Sequence, residues 1–376
     1  MFGCPVAARA GPTSATYITA GNSAEPNRLT LAVLGPSRLK DVRRGLLALT
    51  APGFRECLPI CRGPRATRQF GRRSIDLENT WTSTKGGRVL TRIPRHAFST
   101  DNVAEAMAPI IKSAEEVLAG LGTSEDDRHD ALTLALVAAK WHCLADPVAD
   151  RFTTWQAWIL AMQTGSALFT AGQATEGPVR CRVGANGEER ELPATGPQEY
   201  LHAANWLTSF YLAAICREDE RMNRLAQVPL PFLRASGAEF DEYVYSWVET
   251  LQNHPFGRQE TWDSLVRAVE GTDPAHVQIA SQELMLKILY PPLNLFHRYA
   301  TRDEERFNES LAEALTWHKE YWTANEARSR SGEGLVALGP LAIACMARDA
   351  GMAIQVESEY LPKALLEFGW VGEVDA

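Results

Sequence analysis

Apolar side chains recur with a helical period along most of the chain after residue 100. Positions three and four residues apart share one face of a helix, so this period predicts amphipathic helices joined by short connections. The Pro291–Pro292 pair should break or sharply kink its helix, because proline has no N–H and fixes φ. The predicted helices cover residues 103–118, 126–144, 150–171, 197–217, 218–227, 238–253, 258–270, 274–290, 293–299 and 303–323.

One further helix is predicted between Gly334 and Gly351. No charged side chain occurs from Leu335 to Ala347, so this helix would be apolar on every face and must lie inside the protein. It is shorter than the roughly 20 residues that span a membrane. Pro340 fits best in a first helical turn or at a kink, and Gly351 is a typical helix end.

A different period occurs near residues 179–192. Val179, Cys181 and Val183 alternate with arginines, and Asn186-Gly187 is a strong turn signal, which together predict a β-hairpin. The predicted fold class is therefore mainly all-α: a multi-helix array around a buried C-terminal helix, with one small hairpin. No clean repeat period is present.

Charge divides the chain of 376 residues into two parts. Of its 38 Lys+Arg and 46 Asp+Glu, residues 1–90 contain 14 and 5, a net of +9; residues 91–376 contain the other 24 and 41, a net of −17. The first part is rich in Gly, Pro, Arg, Ser and Thr and is predicted to be a disordered, low-complexity segment. Residues 91–376 are predicted to form the helical domain.

Two other interpretations of residues 1–90 stay open. The segment is a basic arm that binds nucleic acid, although few aromatic residues interleave with its arginines. Alternatively, translation starts at Val89, because an Arg-, Ala-, Gly- and Pro-rich chain suggests a GC-rich genome in which GTG start codons are common. Native peptides upstream of Val89 in mass spectrometry would exclude that second interpretation.

The seven cysteines form no paired framework, which favours a reducing compartment. The N-terminus lacks a basic region followed by an apolar run and a cleavage site, so a secretion signal is not indicated. We therefore expect a cytoplasmic protein.

The best enzyme-like motif is Gly332-Glu333-Gly334-Leu335-Val336-Ala337, which matches the dinucleotide pattern G-x-G-x-x-A, with Glu357 at the distance of a ribose-binding acid. The preceding residues 317–330 are helical and polar, whereas the motif requires a buried strand. We therefore expect a structural role here.

Other catalytic patterns are weaker. The eight histidines stand apart, and Cys57-x-x-x-Cys61 has no second pair, so zinc binding is unsupported. His142 and Cys143 face about 100° apart on a helix, which favours Cys143 as a core residue. We predict no catalytic, metal or cofactor-binding residues and no cofactor.

Two dense acidic and aromatic clusters remain. Interleaved rings and carboxylates can bind basic proteins, since the rings supply contact area while the carboxylates pair with Arg or Lys. The alternative is that the rings face the core and the acids face water. A net of −17 attracts cationic partners and repels nucleic acid and anionic membranes. The predicted partner-binding residues are Glu239, Asp241, Glu242, Tyr243, Tyr245, Glu320, Tyr321 and Trp322.

Several long strings resemble the immunity 49 family of bacterial polymorphic-toxin systems, and the similarity covers residues 91–373. The strings are 235–243 (ASGAEFDEY), 283–294 (ELMLKILYPPLN), 317–322 (WHKEYW), 334–344 (GLVALGPLAIA) and 356–362 (VESEYLP). The resemblance implies a cytosolic, mostly α-helical protein, typical of actinobacteria, that binds the toxin encoded beside it. It transfers no catalytic residue.

The leading functional hypothesis is that the protein binds a cognate toxin and thereby neutralises it. The expected toxin has a basic, nuclease-like domain. A helical-repeat adaptor that holds a cellular partner is the second hypothesis. The third is an enzyme in which Glu242 and His318 form an acid/base pair within one cleft. The toxin's activity, its binding face and the oligomeric state stay open.

Overall fold

The structure, a computed structural model, describes residues 81–85, 88–98, 102–184 and 187–370. Residues 1–80, which belong to the segment with predicted disorder, lie outside the described residues. Most of the described chain is helical, as predicted. The α-helices are α1 (Val103–Ala119), α2 (Glu125–Ala145), α3 (Phe152–Gln173), α4 (Ala203–Cys216), α5 (Asp219–Leu225), α6 (Leu230–Arg234), α7 (Glu242–Asn253), α8 (Glu260–Gly271), α9 (Gln282–Leu284), α10 (Tyr290–Ala300), α11 (Glu304–Thr323), α12 (Glu326–Ser329), α13 (Leu338–Asp349) and α14 (Lys363–Glu367).

Helices α1 to α4 pack in chain order, each against the next. Side-chain caps mark where the first two begin: Asn102 accepts hydrogen bonds from the N–H groups of Ala104 and Glu105, and Ser124 accepts one from Asp127. Helix α3 is buried on nearly all sides, with Trp155 and Trp158 no more than 2% exposed. These aromatic residues therefore belong to the core.

The predicted central helix is α13. Its residues from Leu341 to Cys345 are fully buried, and it packs against α4, α10, α11 and α14. Pro340 lies in the first turn, where its missing N–H has no intrahelical partner to lose. Gly351 has φ +87° just beyond the helix, and the N–H of Met352 donates to the carbonyl of Ala347 at 3.0 Å, which closes the helix end.

The region around Pro291–Pro292 differs from the prediction. The chain stays helical through both prolines, because a π-helical turn over Met285–Leu289 joins α9 to α10. The wider turn accommodates rings that cannot donate an N–H to the preceding turn. The prediction of a helix from residue 274 is also wrong, since residues 272–281 form a loop before α9.

Two small sheets flank the helices. The predicted hairpin is confirmed: β3 (Val179–Arg182) pairs antiparallel with β4 (Glu189–Leu192). A second sheet was not predicted; it contains β1 (Trp81–Lys85), β2 (Arg88–Arg92) and β5 (Val356–Glu357) in the order β1-β2-β5. Strands β2 and β5 are parallel and pair Thr91 with Val356. The expected domain boundary at residue 90 falls inside β2.

Residues 93–98 run extended from β2 across the C-terminal part of the fold. The backbone N–H of His96 donates to the Tyr360 hydroxyl at 3.0 Å, and the His96 Nδ1 lies 2.7 Å from the same oxygen. Lys319 Nζ donates to the carbonyl of Pro94 at 3.1 Å. Nearby, burial lowers the pKa of His318 to about 3, so this imidazole is neutral near pH 7. The contacts with Tyr360 and Lys319 hold residues 93–98 against the helical part of the protein.

Within the described ranges, no helix has the length and apolar character needed to cross a membrane. The same residues contain no group of three or more side chains suited to hold a metal ion. Cys143, Cys181, Cys216 and Cys345 are free and buried. Burial raises the pKa of the Cys143 thiol to about 12, in agreement with its interpretation as a core residue.

Candidate functional site

Asp241 holds the loop between α8 and α9, residues 272–281, hereafter the Asp241 loop. Its carboxylate accepts hydrogen bonds from three consecutive backbone N–H groups, those of Gln278 (2.7 Å), Ile279 (3.1 Å) and Ala280 (2.9 Å). Bonds to an ionised acceptor are the stronger kind. With only 8% of its surface exposed, Asp241 has its oxygens committed within the chain. It therefore orients the loop instead of offering a free charge.

The Asp241 loop presents an apolar side chain to solvent. Ile279 is 48% exposed, more than the other large exposed apolar residues of the described chain. Its own N–H is one of those bound by Asp241, so the backbone that carries the side chain is fixed. Ile279 is not among the partner-binding residues predicted from the sequence, which assigned residues 274–290 to a helix.

The first predicted cluster surrounds the start of α7, next to this loop. Both carboxylate oxygens of Glu242 bind Arg234, at 2.9 Å and 2.7 Å, and this hydrogen bonding lowers the pKa of Glu242. The Arg234 guanidinium also covers the Tyr245 ring at 3.7 Å from its centre. The chain's own arginine therefore pairs with the carboxylate that was predicted to bind a partner's Arg or Lys, and it also covers the ring that was predicted to supply contact area.

The other two members of this cluster differ in exposure. Tyr243 is 3% exposed, its hydroxyl has no hydrogen-bond partner among the described residues, and it packs closely against Gly271. Glu239, by contrast, is exposed. Only Glu239 and Glu242 therefore present carboxylates to a partner here.

The second predicted cluster ends α11. Glu320 lies 3.3 Å from the Lys287 ammonium, and Tyr321 is 4% exposed beneath the Arg328 guanidinium, 3.9 Å from its ring centre. Trp322 is half-buried and packs on the backbone of Gly334. An intramolecular cation again covers the aromatic face.

The structure brings the two clusters to opposite ends of one short segment. Asp241 binds Gln278, while Glu283 binds Arg328 at 2.9 Å and Lys287 at 3.6 Å. Gln278 and Glu283 are five positions apart in the sequence, a distance of at most about 17 Å in an extended chain. We call Ile279 together with the ion pairs Arg234–Glu242, Lys287–Glu320 and Arg328–Glu283 the loop surface.

The dinucleotide-like motif has a packing role, as expected. Gly332–Leu335 forms a 3₁₀ turn, and the elements directly before it are the helices α11 and α12 and not a strand. A Cβ atom on Gly332 would lie 2.4 Å from the Trp141 Nε1, and one on Gly334 would lie 2.7 Å from the Trp322 Cγ. The glycines let two indole rings approach the backbone. Glu333 is bound by the Lys140 ammonium at 2.7 Å.

We predict that Gly334→Ala lowers the free energy of unfolding by about 1–3 kcal/mol, the usual cost of overpacking. The added methyl group would press on a ring instead of the end of a flexible chain. Urea denaturation measures the loss. Gly369→Ala is the control, because its nearest neighbour would be 3.6 Å away; equal midpoints for the two variants would contradict the prediction.

Glu242 and His318 do not form the hypothesised acid/base pair. Glu242 has 77% of its side chain exposed and is paired with Arg234. His318 is 6% exposed, and its Nε2 lies 3.0 Å from the carbonyl oxygen of Gly334. The two residues thus lie in different surroundings, one on the surface and one against the buried 3₁₀ turn.

A separate acidic groove runs along the first half of α11. Its volume is about 490 Å³, and its lining includes Glu304, Glu305 and Glu309 together with Asn308 and Gln355. Glu305 and Glu309 are exposed and stand four residues apart. Like charges at this spacing repel and destabilise a helix slightly. The groove is therefore a strong local source of negative potential.

Comparison with known proteins identifies the family. A family model described as Immunity protein 49 matches residues 146–365, more than half of the chain. This match contains α3 to α13, the loop surface and the acidic groove. Neither a curated protein nor a solved structure matches the chain. On the strength of the match to residues 146–365, the chain belongs to the immunity protein 49 family.

Proposed function

We propose that this protein binds a cognate bacterial toxin and neutralises it by covering the face through which the toxin acts. The family match over residues 146–365 carries the proposal. An immunity protein acts in the cell that makes the toxin, so we place it in the cytoplasm of an actinobacterium that has a polymorphic toxin system.

The loop surface is the proposed toxin-binding face. Binding interfaces concentrate their free energy in a few apolar or aromatic side chains that a polar rim surrounds. Ile279 supplies the exposed apolar side chain. The pairs Arg234–Glu242 and Lys287–Glu320 belong to the two clusters that meet the ends of the segment from Gln278 to Glu283. Because Asp241 already holds the loop backbone, little conformational entropy is lost on binding.

Electrostatic attraction supports a basic, nuclease-like toxin. Residues 91–376 carry the net charge of −17 derived above from 24 basic and 41 acidic residues. Part of that charge is balanced on the loop surface, whereas the acidic groove concentrates carboxylates. We propose that the groove speeds the approach of a cationic toxin, while contact at Ile279 determines how long the complex lasts.

Co-expression tests the proposal. The toxin-like protein encoded beside this gene is induced in a heterologous host, with and without the full chain. We expect the full chain to restore growth and to co-purify with the toxin in a one-to-one complex. If the toxin stays lethal while soluble immunity protein accumulates, the proposal fails. Recovery of housekeeping proteins alone in the pull-down would favour the adaptor hypothesis instead.

A further inference from the structure

A second cavity has the opposite electrostatic character. It has a volume of about 240 Å³ and lies where the α7–α8 connection meets the end of α10. Arg258 and Arg302 line it, and no carboxylate is among its described lining residues. Two guanidinium groups without an acidic residue beside them produce a positive potential in the cavity, which favours the binding of an anion.

Both guanidinium groups keep donors free for a ligand. Arg258 lies over the Phe256 ring, 4.6 Å from its centre, and donates one N–H to the Asn253 side chain at 3.3 Å. Arg302 donates one N–H to the carbonyl of Ala350. Among the described residues neither has a carboxylate partner within ion-pair distance. Because arginine carries five N–H donors, each can still bind an oxyanion through several of them.

The inner wall of the cavity adds a buried hydroxyl group without a partner. Thr261 is 6% exposed, and its Oγ1 makes no hydrogen bond within the described chain. This oxygen is itself buried beneath the cavity surface, so a ligand in the cavity is bound by the two guanidinium groups and not by the hydroxyl. His254 and Tyr299 also line the cavity, and the Nε2 of His254 lies 3.1 Å from the Tyr299 hydroxyl.

The backbone contributes in the same direction. Thr261 lies in the first turn of α8, a helix of 12 residues whose N-cap residue Gln259 makes no side-chain capping bond. The helix dipole favours an anion at such an end, while the N–H groups of Thr261 and Trp262 already donate to the carbonyls of Arg258 and Gln259, at 3.2 Å and 3.1 Å. Glu260 and Asp263 belong to this turn, but both are exposed and neither lines the cavity.

We propose that this cavity binds a phosphate group, either as inorganic phosphate or as the terminal phosphate of a small phosphomonoester. Two guanidinium groups that line one cavity supply charged N–H donors for the oxygens of a phosphate dianion. The volume of about 240 Å³ lies below the roughly 300–1,000 Å³ of pockets for drug-sized ligands, so the ligand is small. Half-buried Trp262 supplies an aromatic face for an attached ring. This site is independent of the proposed toxin binding.

Calorimetric titration of the full chain tests the proposal with three probes: inorganic phosphate, AMP and adenosine. We expect phosphate and AMP to bind with a Kd below about 1 mM, and adenosine not to bind. AMP binding that is tighter than phosphate binding assigns the site to phosphomonoesters, whereas equal affinity assigns it to free phosphate. No binding of either phosphate probe would overturn the proposal.

Variants separate a built site from general charge attraction. Arg258→Gln and Arg302→Gln should each raise the Kd by about tenfold or more, the effect of one lost charge-assisted hydrogen bond. The control, Arg224→Gln with Arg330→Gln, removes two exposed arginines elsewhere and should leave the Kd unchanged. Thermal unfolding confirms folding; unaltered affinity in the folded cavity variants would overturn the proposal.

Discussion

The variant Ile279→Asp should lose toxin binding by about 30-fold or more, an effect of about 2 kcal/mol that is typical of a central contact residue. Ile279 is 48% exposed in the free protein and would be buried in the complex. A carboxylate at this position would lose its hydration without gaining a partner. The fold should be unaffected, since the side chain faces solvent.

Affinity for the toxin, measured by surface plasmon resonance, tests this expectation. Val148→Asp is the matched control, because Val148 is an aliphatic residue with a similar exposure of 44% outside the loop surface. Rescue of growth in the co-expression assay provides a second measurement. If the unsubstituted protein binds the toxin and Ile279→Asp binds it with the same affinity, the protein is a toxin-binding protein but the loop surface is not its binding face.

Asp241→Ala should lower the free energy of unfolding by about 2–4 kcal/mol, because three N–H groups lose a charged acceptor. The N–H groups of Gln278, Ile279 and Ala280 have Asp241 as their hydrogen-bond acceptor. The Asp241 loop would then sample many conformations, and ordering it on binding would cost free energy. We therefore expect weaker toxin binding even though no toxin contact is removed.

Hydrogen exchange at the three loop amides distinguishes this mechanism from a general loss of stability. Their exchange should become much faster in Asp241→Ala, with smaller changes in the buried helix α13. Glu239→Ala is the control, since it removes the same charge from an exposed residue two positions earlier. Unchanged protection of the loop amides would show that Asp241 does not hold the loop.

The two predicted clusters also show how the side chains of the loop surface are held in place. Two of the predicted rings, Tyr245 and Tyr321, are each covered by an arginine that also binds a glutamate. Such networks hold long side chains in fixed positions. If the loop surface is the toxin-binding face, as proposed, its specificity should depend on how well a toxin matches the arrangement of these ion pairs.

Local patterns in the amino-acid sequence were sufficient for much of the fold. Helix α13 could be predicted as a buried centre because an uncharged run of this length can only be stable inside the protein. Helices α2, α3 and α11 could be predicted from apolar residues three or four positions apart. The hairpin β3–β4 could be predicted from apolar residues two positions apart. The family was recognisable from the same chain, because its strings of residues are long.

Only the tertiary structure decided which side chains of the predicted clusters are exposed on the loop surface and which are buried. Asp241 and Tyr243 belong to one acidic and aromatic string, yet Asp241 binds amides 37 to 39 residues away and Tyr243 is buried against Gly271. The parallel pairing of β2 with β5 likewise joins Thr91 to Val356. Periodicity reports only which neighbours in sequence share a face. Contacts between distant segments depend on how whole helices pack, so the loop that presents Ile279 could be found only in the folded chain.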